Sequence, residues 1–124
     1  MSLTDRIARG LESGWKVTDG ARLTENLTSE ADVVVIGTGA GGGTTAEILA
    51  RSGLSVILVE EGRLYYQKDF KMDEQTSYAN LYQEGMSRVT RDGAIAILQG
   101  RCVGGSTTVN WTSSFRTPEP TLNY

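Results

Sequence analysis

A cluster of five glycines in the seven positions Gly37–Gly43 constrains the fold of this chain more than any other feature. Glycine loses more conformational freedom on ordering than any other residue, so such a cluster indicates a turn that tolerates no side chains. The apolar run Val33–Ile36 precedes it, and a helical pattern over 42–52 follows, with Gly53 as its stop signal. A second apolar run, Val56–Val59, comes next. Strand, helix and strand in this order predict a right-handed βαβ unit with parallel neighbouring strands.

Both predicted strands are wholly apolar, which is typical of strands that are covered on both faces. In the predicted helix, Ala46, Leu49 and Ala50 share one face, which we expect to point inward. The sequence therefore predicts an α/β domain whose sheet is buried.

The glycines of the turn follow the spacing G-x-G-x-x-G, and each has a separate physical role. Gly37 permits a tight turn out of the strand, Gly39 lets the backbone approach a pyrophosphate, and Gly42 lets the helix pack close to the strand. Ala40 and Gly41 lie at the helix start, where unpaired N–H groups and the helix dipole attract anions. We expect these five residues to bind the diphosphate of a dinucleotide.

An acidic residue ends the second predicted strand, about 20 residues after the glycines, where dinucleotide-binding domains place a ribose-binding carboxylate. Here it is Glu60, which we expect to accept hydrogen bonds from both ribose hydroxyls of an adenosine. A carboxylate at this place also disfavours a 2′-phosphate. Glu61 either flanks the adenine or faces solvent. The fingerprint alone does not distinguish NAD from FAD.

The segments on either side of the βαβ unit are less regular. Residues 1–30 are interpreted as a helical arm and a polar connector, and residues 31–124 as the nucleotide-binding domain. The arm has a predicted helix from Ser2 to about Ser13, with Thr4 as its N-cap and Trp15 as an anchor on a neighbouring surface. Asp92 and Gly93 lie between two strand-like runs, which predicts a β-hairpin.

Composition excludes several classes of function. The formal net charge is −3 and no basic stripe is present, so a nucleic-acid partner is not expected. The apolar runs are too short to span a bilayer, and the N-terminus does not resemble a signal peptide, so we expect no membrane association and a cytoplasmic location. The chain has no His, and we predict no metal site. We expect the single Cys102 to be a packed residue rather than a reactive thiol.

A second glycine cluster carries a family resemblance. "GRCVGGSTTVNW" at 100–111, after "DVVVIGTGAGGG", resembles the N-terminal FAD-binding part of the glucose–methanol–choline (GMC) flavoprotein oxidoreductases. The resemblance covers nearly all of 32–118. The fuller string, "GTGAGGG" with "QGRCVGGSTTVNWTSSFRTP", is most similar to the long-chain alcohol oxidase branch. It implies a Rossmann-like FAD-binding domain that is the N-terminal fragment of a larger GMC-type fold.

The resemblance also implies roles for the second cluster. Gly104 and Gly105 would allow this loop to approach the cofactor closely, and Ser106 would donate to phosphate or ribityl oxygens. Asn110 would lie beside the flavin ring. In relatives with covalently attached FAD, a His stands just before this Asn, whereas here Val109 stands there, so we predict non-covalent FAD.

One residue of this cluster, Arg101, has two possible roles. It could reach a cofactor phosphate, or it could serve the fold by capping a strand or pairing with Glu60 or Glu61. The sequence does not decide between the two.

The activity that the resemblance implies is the FAD-dependent oxidation of an alcohol CH–OH group. In this family a base takes the hydroxyl proton and a hydride passes to flavin N5. No position here matches the family's catalytic His, so we predict no catalytic residue in this chain. The base and the substrate domain are expected from the remainder of the polypeptide beyond Tyr124, or from another chain. Two alternatives stay open: an NAD-linked reductase module and a non-catalytic nucleotide-binding module.

Overall fold

A parallel βαβ unit forms the centre of the protein. The structure, a computed structural model, describes residues 5–123. Strand β1 (Val33–Ile36) pairs in parallel with β2 (Val56–Val59), in register from Val33 opposite Val56 to Ile36 opposite Val59. Helix α2 (Ala40–Arg51) connects them, and Gly53, which follows the C-cap residue Ser52, has a φ of 91°. The predicted strand, helix, strand order and the parallel pairing are confirmed, and the helix begins two residues earlier than predicted.

Strand β1 is covered on only one face among the described residues, and in β2 the half-buried residues are Val56 and Ile57, whereas Leu58 and Val59 are exposed. Val33 and Val35 are half-buried on the side of α2, whereas Val34 and Ile36 point the other way and are exposed, Ile36 to 86%. The expectation of strands covered on both faces is therefore wrong for the described chain. Its physical reason is that α2 alone packs against the sheet, and one helix covers one face.

The inward face of α2 is narrower than predicted. Ala46 is buried and Leu49 is half-buried, but Ala50 is exposed. A sheet of two strands is too narrow to cover the whole apolar side of a helix. The prediction for Ala50 is therefore wrong.

Helix α1 (Arg6–Glu12) packs on its own flanking segments. The Asp5 carboxylate accepts hydrogen bonds from the N–H groups of Ile7 and Ala8, so Asp5 is the N-cap, and the predicted cap, Thr4, lies outside the described residues. The other Asp5 oxygen accepts from the Gln67 N–H, which fastens the arm to the rest of the chain. Trp15 lies against Gly10 of the same helix, not against another surface.

The chain after β2 contains helix α3 (Glu74–Leu81) and, near its end, helix α4 (Glu119–Leu122). Asp73 caps α3 by accepting from the Thr76 N–H at 2.8 Å. The predicted hairpin is confirmed as an antiparallel bridge between Val89 and Ala96, with Gly93 at a φ of 71° in its turn. Short 3-10 turns cover Gly20–Arg22, Gln67–Asp69, Gln83–Met86 and Gly105–Thr107.

Among residues 5–123, no helix has the length and apolar character needed to cross a membrane.

Candidate nucleotide-binding site

The first glycine loop has the geometry that its spacing predicts. Gly37 directly follows β1, adopts the left-handed conformation at a φ of 91°, and donates its N–H to the carbonyl of Val59 at 2.7 Å. A Cβ on Gly42 would overlap the carbonyl oxygen of Gly37, so only glycine lets α2 start this close to the strand. The predicted turn and packing roles of these two glycines are confirmed.

Two other glycines of this loop border open space. A Cβ added to Gly39 or Gly41 would meet no heavy atom within 4 Å. Helix α2 begins at Ala40. Its N-cap, Gly39, has no side chain that could accept a hydrogen bond from the first N–H groups of the helix. The first N–H groups of a helix have no partner within the helix, so this bare end suits an anionic group such as a diphosphate.

Glu60 lies beside this loop, because it follows β2 at the same edge of the sheet where Gly37 follows β1. One oxygen, Oε2, accepts from the N–H and the hydroxyl of Thr38, at 2.9 Å and 2.6 Å. The other, Oε1, accepts from the Gly62 N–H at 3.0 Å. Partial burial raises the pKa of Glu60, but the hydrogen bonds from Thr38 and Gly62 outweigh it and hold that pKa below its ordinary value. The carboxylate is thus ionised and fixed in orientation.

The second glycine loop is placed by backbone pairing on both sides. The segment 99–103 runs between two other segments. Arg101 donates its N–H to the carbonyl of Leu81 at 2.7 Å, and Val103 donates to the carbonyl of Arg63 at 3.0 Å. Isolated bridges pair Arg63 with Cys102 and Tyr82 with Gly100. Backbone hydrogen bonds on both sides therefore hold this irregular loop in place.

Two glycines are required here by the protein's own backbone. A Cβ on Gly62 would overlap the backbone of Arg101, and a Cβ on Gly100 would overlap the carbonyl of Gly105. The sequence analysis did not single out either residue. The only signal for Gly62 was its position directly after Glu60 and Glu61, the acidic pair that follows β2.

The tip of the second loop lies against the first loop. Gly104 and Gly105 adopt positive φ angles of 94° and 56°. A Cβ built on Gly105 would lie 2.9 Å from the Cα of Gly39, and α2 contacts the Gly105–Thr107 turn. The two glycine clusters, more than 60 residues apart in sequence, thus form one surface of bare backbone.

Two polar side chains at and after this tip, those of Ser106 and Asn110, form hydrogen bonds within their own loop. The Ser106 hydroxyl oxygen accepts from the Gly100 N–H at 3.0 Å, which leaves its proton available for another acceptor. The Asn110 side chain donates to the Thr107 carbonyl at 2.8 Å and accepts from the Thr112 N–H at 2.6 Å. The predicted contacts of Ser106 and Asn110 with a cofactor stay predictions.

Arg101 and Cys102 flank the loop on opposite sides. The Arg101 Nε lies 3.1 Å from a carboxylate oxygen of Glu61 in an exposed ion pair, which is one of the two roles that the sequence left open. Cys102 is fully buried, and this burial raises the pKa of its thiol. Cys102 is a packed residue, as predicted.

Thr38 is the residue that sequence reasoning missed. Besides its two hydrogen bonds to Glu60, its Oγ1 accepts from the Gly104 N–H at 3.0 Å. A signal for it was present, since the residues that follow two parallel neighbouring strands meet at one edge of the sheet. Thr38 and Glu60 are such residues.

Within residues 5–123, no group of three or more His, Cys, Asp or Glu side chains is arranged to hold a metal ion.

Comparison with known proteins gives a consistent set of similarities. A family model described as GMC oxidoreductase matches residues 78–124. A long-chain-alcohol oxidase of Arabidopsis thaliana is 38% identical over 111 residues, or 90% of this chain and 14% of that protein. A second Arabidopsis long-chain-alcohol oxidase is 43% identical over 91 residues, or 73% of this chain and 12% of that protein.

A bacterial protein is similar to the same extent. An uncharacterised GMC-type oxidoreductase of Mycobacterium tuberculosis is 41% identical over 104 residues, or 77% of this chain and 16% of that protein. The chain thus spans 12% to 16% of the length of these three relatives. No solved structure matches the chain significantly.

Proposed function

The chain belongs to the GMC oxidoreductase family, and we propose that it is the N-terminal, cofactor-binding part of an FAD-dependent oxidoreductase that acts on the CH–OH group of an alcohol. The proposal includes a Rossmann-like FAD domain whose remaining strands, together with the catalytic His and the substrate domain, come from the remainder of the polypeptide. The names of the Arabidopsis relatives make a long-chain alcohol the substrate class to test first.

The observation that carries this proposal is the contact between the two glycine loops at Gly39 and Gly105. A nucleotide-binding βαβ unit needs only the first loop. A flavin dinucleotide also needs bare backbone further along its length, and the second loop supplies that directly beside the helix N-terminus. Enzymes of this family use FAD, and the open space at Gly39 and Gly41 leaves room for its pyrophosphate.

Each residue then has a definite task. The α2 N-terminus at Ala40 and Gly41 holds the phosphates, and the ionised Glu60 orients the adenosine ribose. Ser106 offers its hydroxyl proton to the cofactor, and Asn110 lies on the side of the flavin. FAD, when bound, supplies the ring that accepts hydride from the alcohol carbon. Val109 stands where the family resemblance places the His of covalently attached FAD, which supports non-covalent attachment.

The test is the visible absorption spectrum of the purified full-length protein, followed by identification of the released nucleotide. We expect flavin absorption, and after acid precipitation we expect FAD in the supernatant, because no covalent bond holds it. A protein that carries NAD, or no nucleotide under conditions of FAD excess, would contradict the proposal. Flavin that stays in the precipitate would contradict the non-covalent attachment alone.

A further inference from the structure

The Thr38 side chain joins three segments that are distant in sequence. Its Oγ1 lies 2.6 Å from Glu60 Oε2 and 3.0 Å from the N atom of Gly104. The first partner follows β2, the second lies in the other glycine loop, and Thr38 itself lies in the first glycine loop. Among the described hydrogen bonds, the one to Gly104 is the only one that connects the two glycine loops.

The direction of these hydrogen bonds is fixed by chemistry. The backbone N–H of Gly104 can only donate, so Thr38 Oγ1 is its acceptor. The ionised Glu60 carboxylate can only accept, so the hydroxyl proton of Thr38 points to Oε2. The result is a directed chain from Gly104 through Thr38 to Glu60, in which each hydrogen bond polarises the next.

This chain determines what Glu60 can offer a ligand. A carboxylate oxygen has about two acceptor positions, and Thr38 fills both on Oε2 with its N–H and its hydroxyl. Gly62 occupies one position on Oε1. One acceptor position on Oε1 stays available, so Glu60 can accept from one ribose hydroxyl and not, as the sequence led us to expect, from both. The direction of that position is fixed because Oε2 is held.

We propose that Thr38 is a positioning residue for the cofactor, which orients Glu60 toward the adenosine and locks the second glycine loop to the first. The inference rests on the proposed FAD site and extends it to a residue that acts through its hydrogen bonds to Glu60 and Gly104. Without the hydroxyl, Glu60 keeps only the backbone N–H groups of Thr38 and Gly62 as partners, and the Gly104 N–H loses its acceptor, so both halves of the site are less well organised before binding.

The experiment measures FAD dissociation constants of the full-length protein and three variants. We expect Thr38→Val, which keeps the branched shape, to weaken FAD binding about tenfold, because a hydrogen bond that organises the site is lost. Thr38→Ser keeps the hydroxyl and should bind within about twofold of wild type, by the same arithmetic. In the double variant Thr38→Val, Glu60→Gln, we expect a total loss smaller than the sum of the two single losses, because part of the effect of Thr38 passes through Glu60.

The outcomes separate this inference from the proposed function. If wild type does not bind FAD, both fail. If Gly39→Val abolishes binding but Thr38→Val binds like wild type, only the role of Thr38 is overturned. Equal losses in Thr38→Val and Thr38→Ser, or additive losses in the double variant, would also overturn it. Circular dichroism checks that each variant is folded; if Thr38→Val is not, Thr38→Ala removes the same hydroxyl and takes its place.

Discussion

The glycines in and around the two glycine loops are required for different physical reasons. In the first loop, Gly39 and Gly41 face open space, so nothing in the protein itself forbids a side chain there. In the second, Gly100 must be glycine because the Gly105 carbonyl would overlap its Cβ, and Gly62 must be glycine because it lies against Arg101. An unexplained glycine in the first loop therefore points to a ligand, whereas those around the second loop are explained by packing.

The two loops also differ in how they are supported. The first lies between β1 and α2, so regular hydrogen bonding fixes it. The second loop has no strand of its own. It depends on backbone hydrogen bonds to Arg63 and Leu81, which lie in two other segments of the chain. We therefore expect substitutions of Gly39 and Gly41 in the first loop to affect binding with little loss of stability, and those of the glycines around the second loop to affect stability first.

The largest effect is expected for Gly39→Val, which we predict abolishes FAD retention. The new side chain would fill the open space at the start of α2, where the pyrophosphate is proposed to lie. Flavin content per mole of purified protein measures the effect, and the melting temperatures of the FAD-free variant and the FAD-free wild type should differ little. Gly20→Val is the matched control, since a Cβ there also meets no heavy atom within 4 Å but lies far from the site in sequence.

Gly100→Ala should show the opposite pattern. Its Cβ would overlap the Gly105 carbonyl, so the second loop must shift, at a cost of about 1–3 kcal/mol in the free energy of unfolding. Denaturant unfolding measures this cost. FAD binding should also weaken, because the shifted loop no longer lies where it is proposed to contact the cofactor. A variant with unchanged stability and unchanged FAD affinity would show that the tight approach of Gly100 to Gly105 is not required.

The sequence predicted the first loop in detail because its geometry follows from local rules. The spacing of Gly37 and Gly42 specifies a tight turn and a close helix, and both are present. The position of the second loop depends on pairing with Leu81 and Arg63, which no local pattern encodes, and only the family resemblance indicated a role for it. The uncovered sheet face at Ile36 was also missed, because an apolar strand predicts burial without stating what covers it.

Glu60→Gln is expected to weaken FAD binding by about 1–3 kcal/mol, because neutral hydrogen bonds replace charge-assisted ones. The measurement is the FAD dissociation constant at neutral pH. Glu47→Gln is a matched control on the exposed side of α2, where Glu47 pairs only with Arg51. Equal affinity in Glu60→Gln and wild type would remove Glu60 from the binding site.

The pH dependence of stability gives a second measurement on Glu60. Its pKa in the folded state is depressed below the ordinary value of 4.5, so its contribution to stability is present above pH 4.5 and is lost as the pH falls through the folded-state pKa. Asp32, Asp73 and Asp92 also have lowered pKa values from their hydrogen bonds, so wild type as a whole loses stability in acid. The difference in melting temperature between wild type and Glu60→Gln should therefore shrink as the pH falls below 4.5. A difference that is constant with pH would contradict the ionised state of Glu60.

The smallest effect is expected for Arg101→Gln, and it decides between the two roles that the sequence left open. An exposed ion pair such as Arg101–Glu61 contributes about 0–1 kcal/mol, so stability should change little. Glu61→Gln breaks the same pair without touching any phosphate contact, which makes it the matched control. If Arg101 serves only the pair, both variants bind FAD within about twofold of wild type. If Arg101→Gln alone weakens FAD binding, the guanidinium leaves Glu61 for a phosphate when the cofactor binds, and the second loop contributes charge as well as bare backbone.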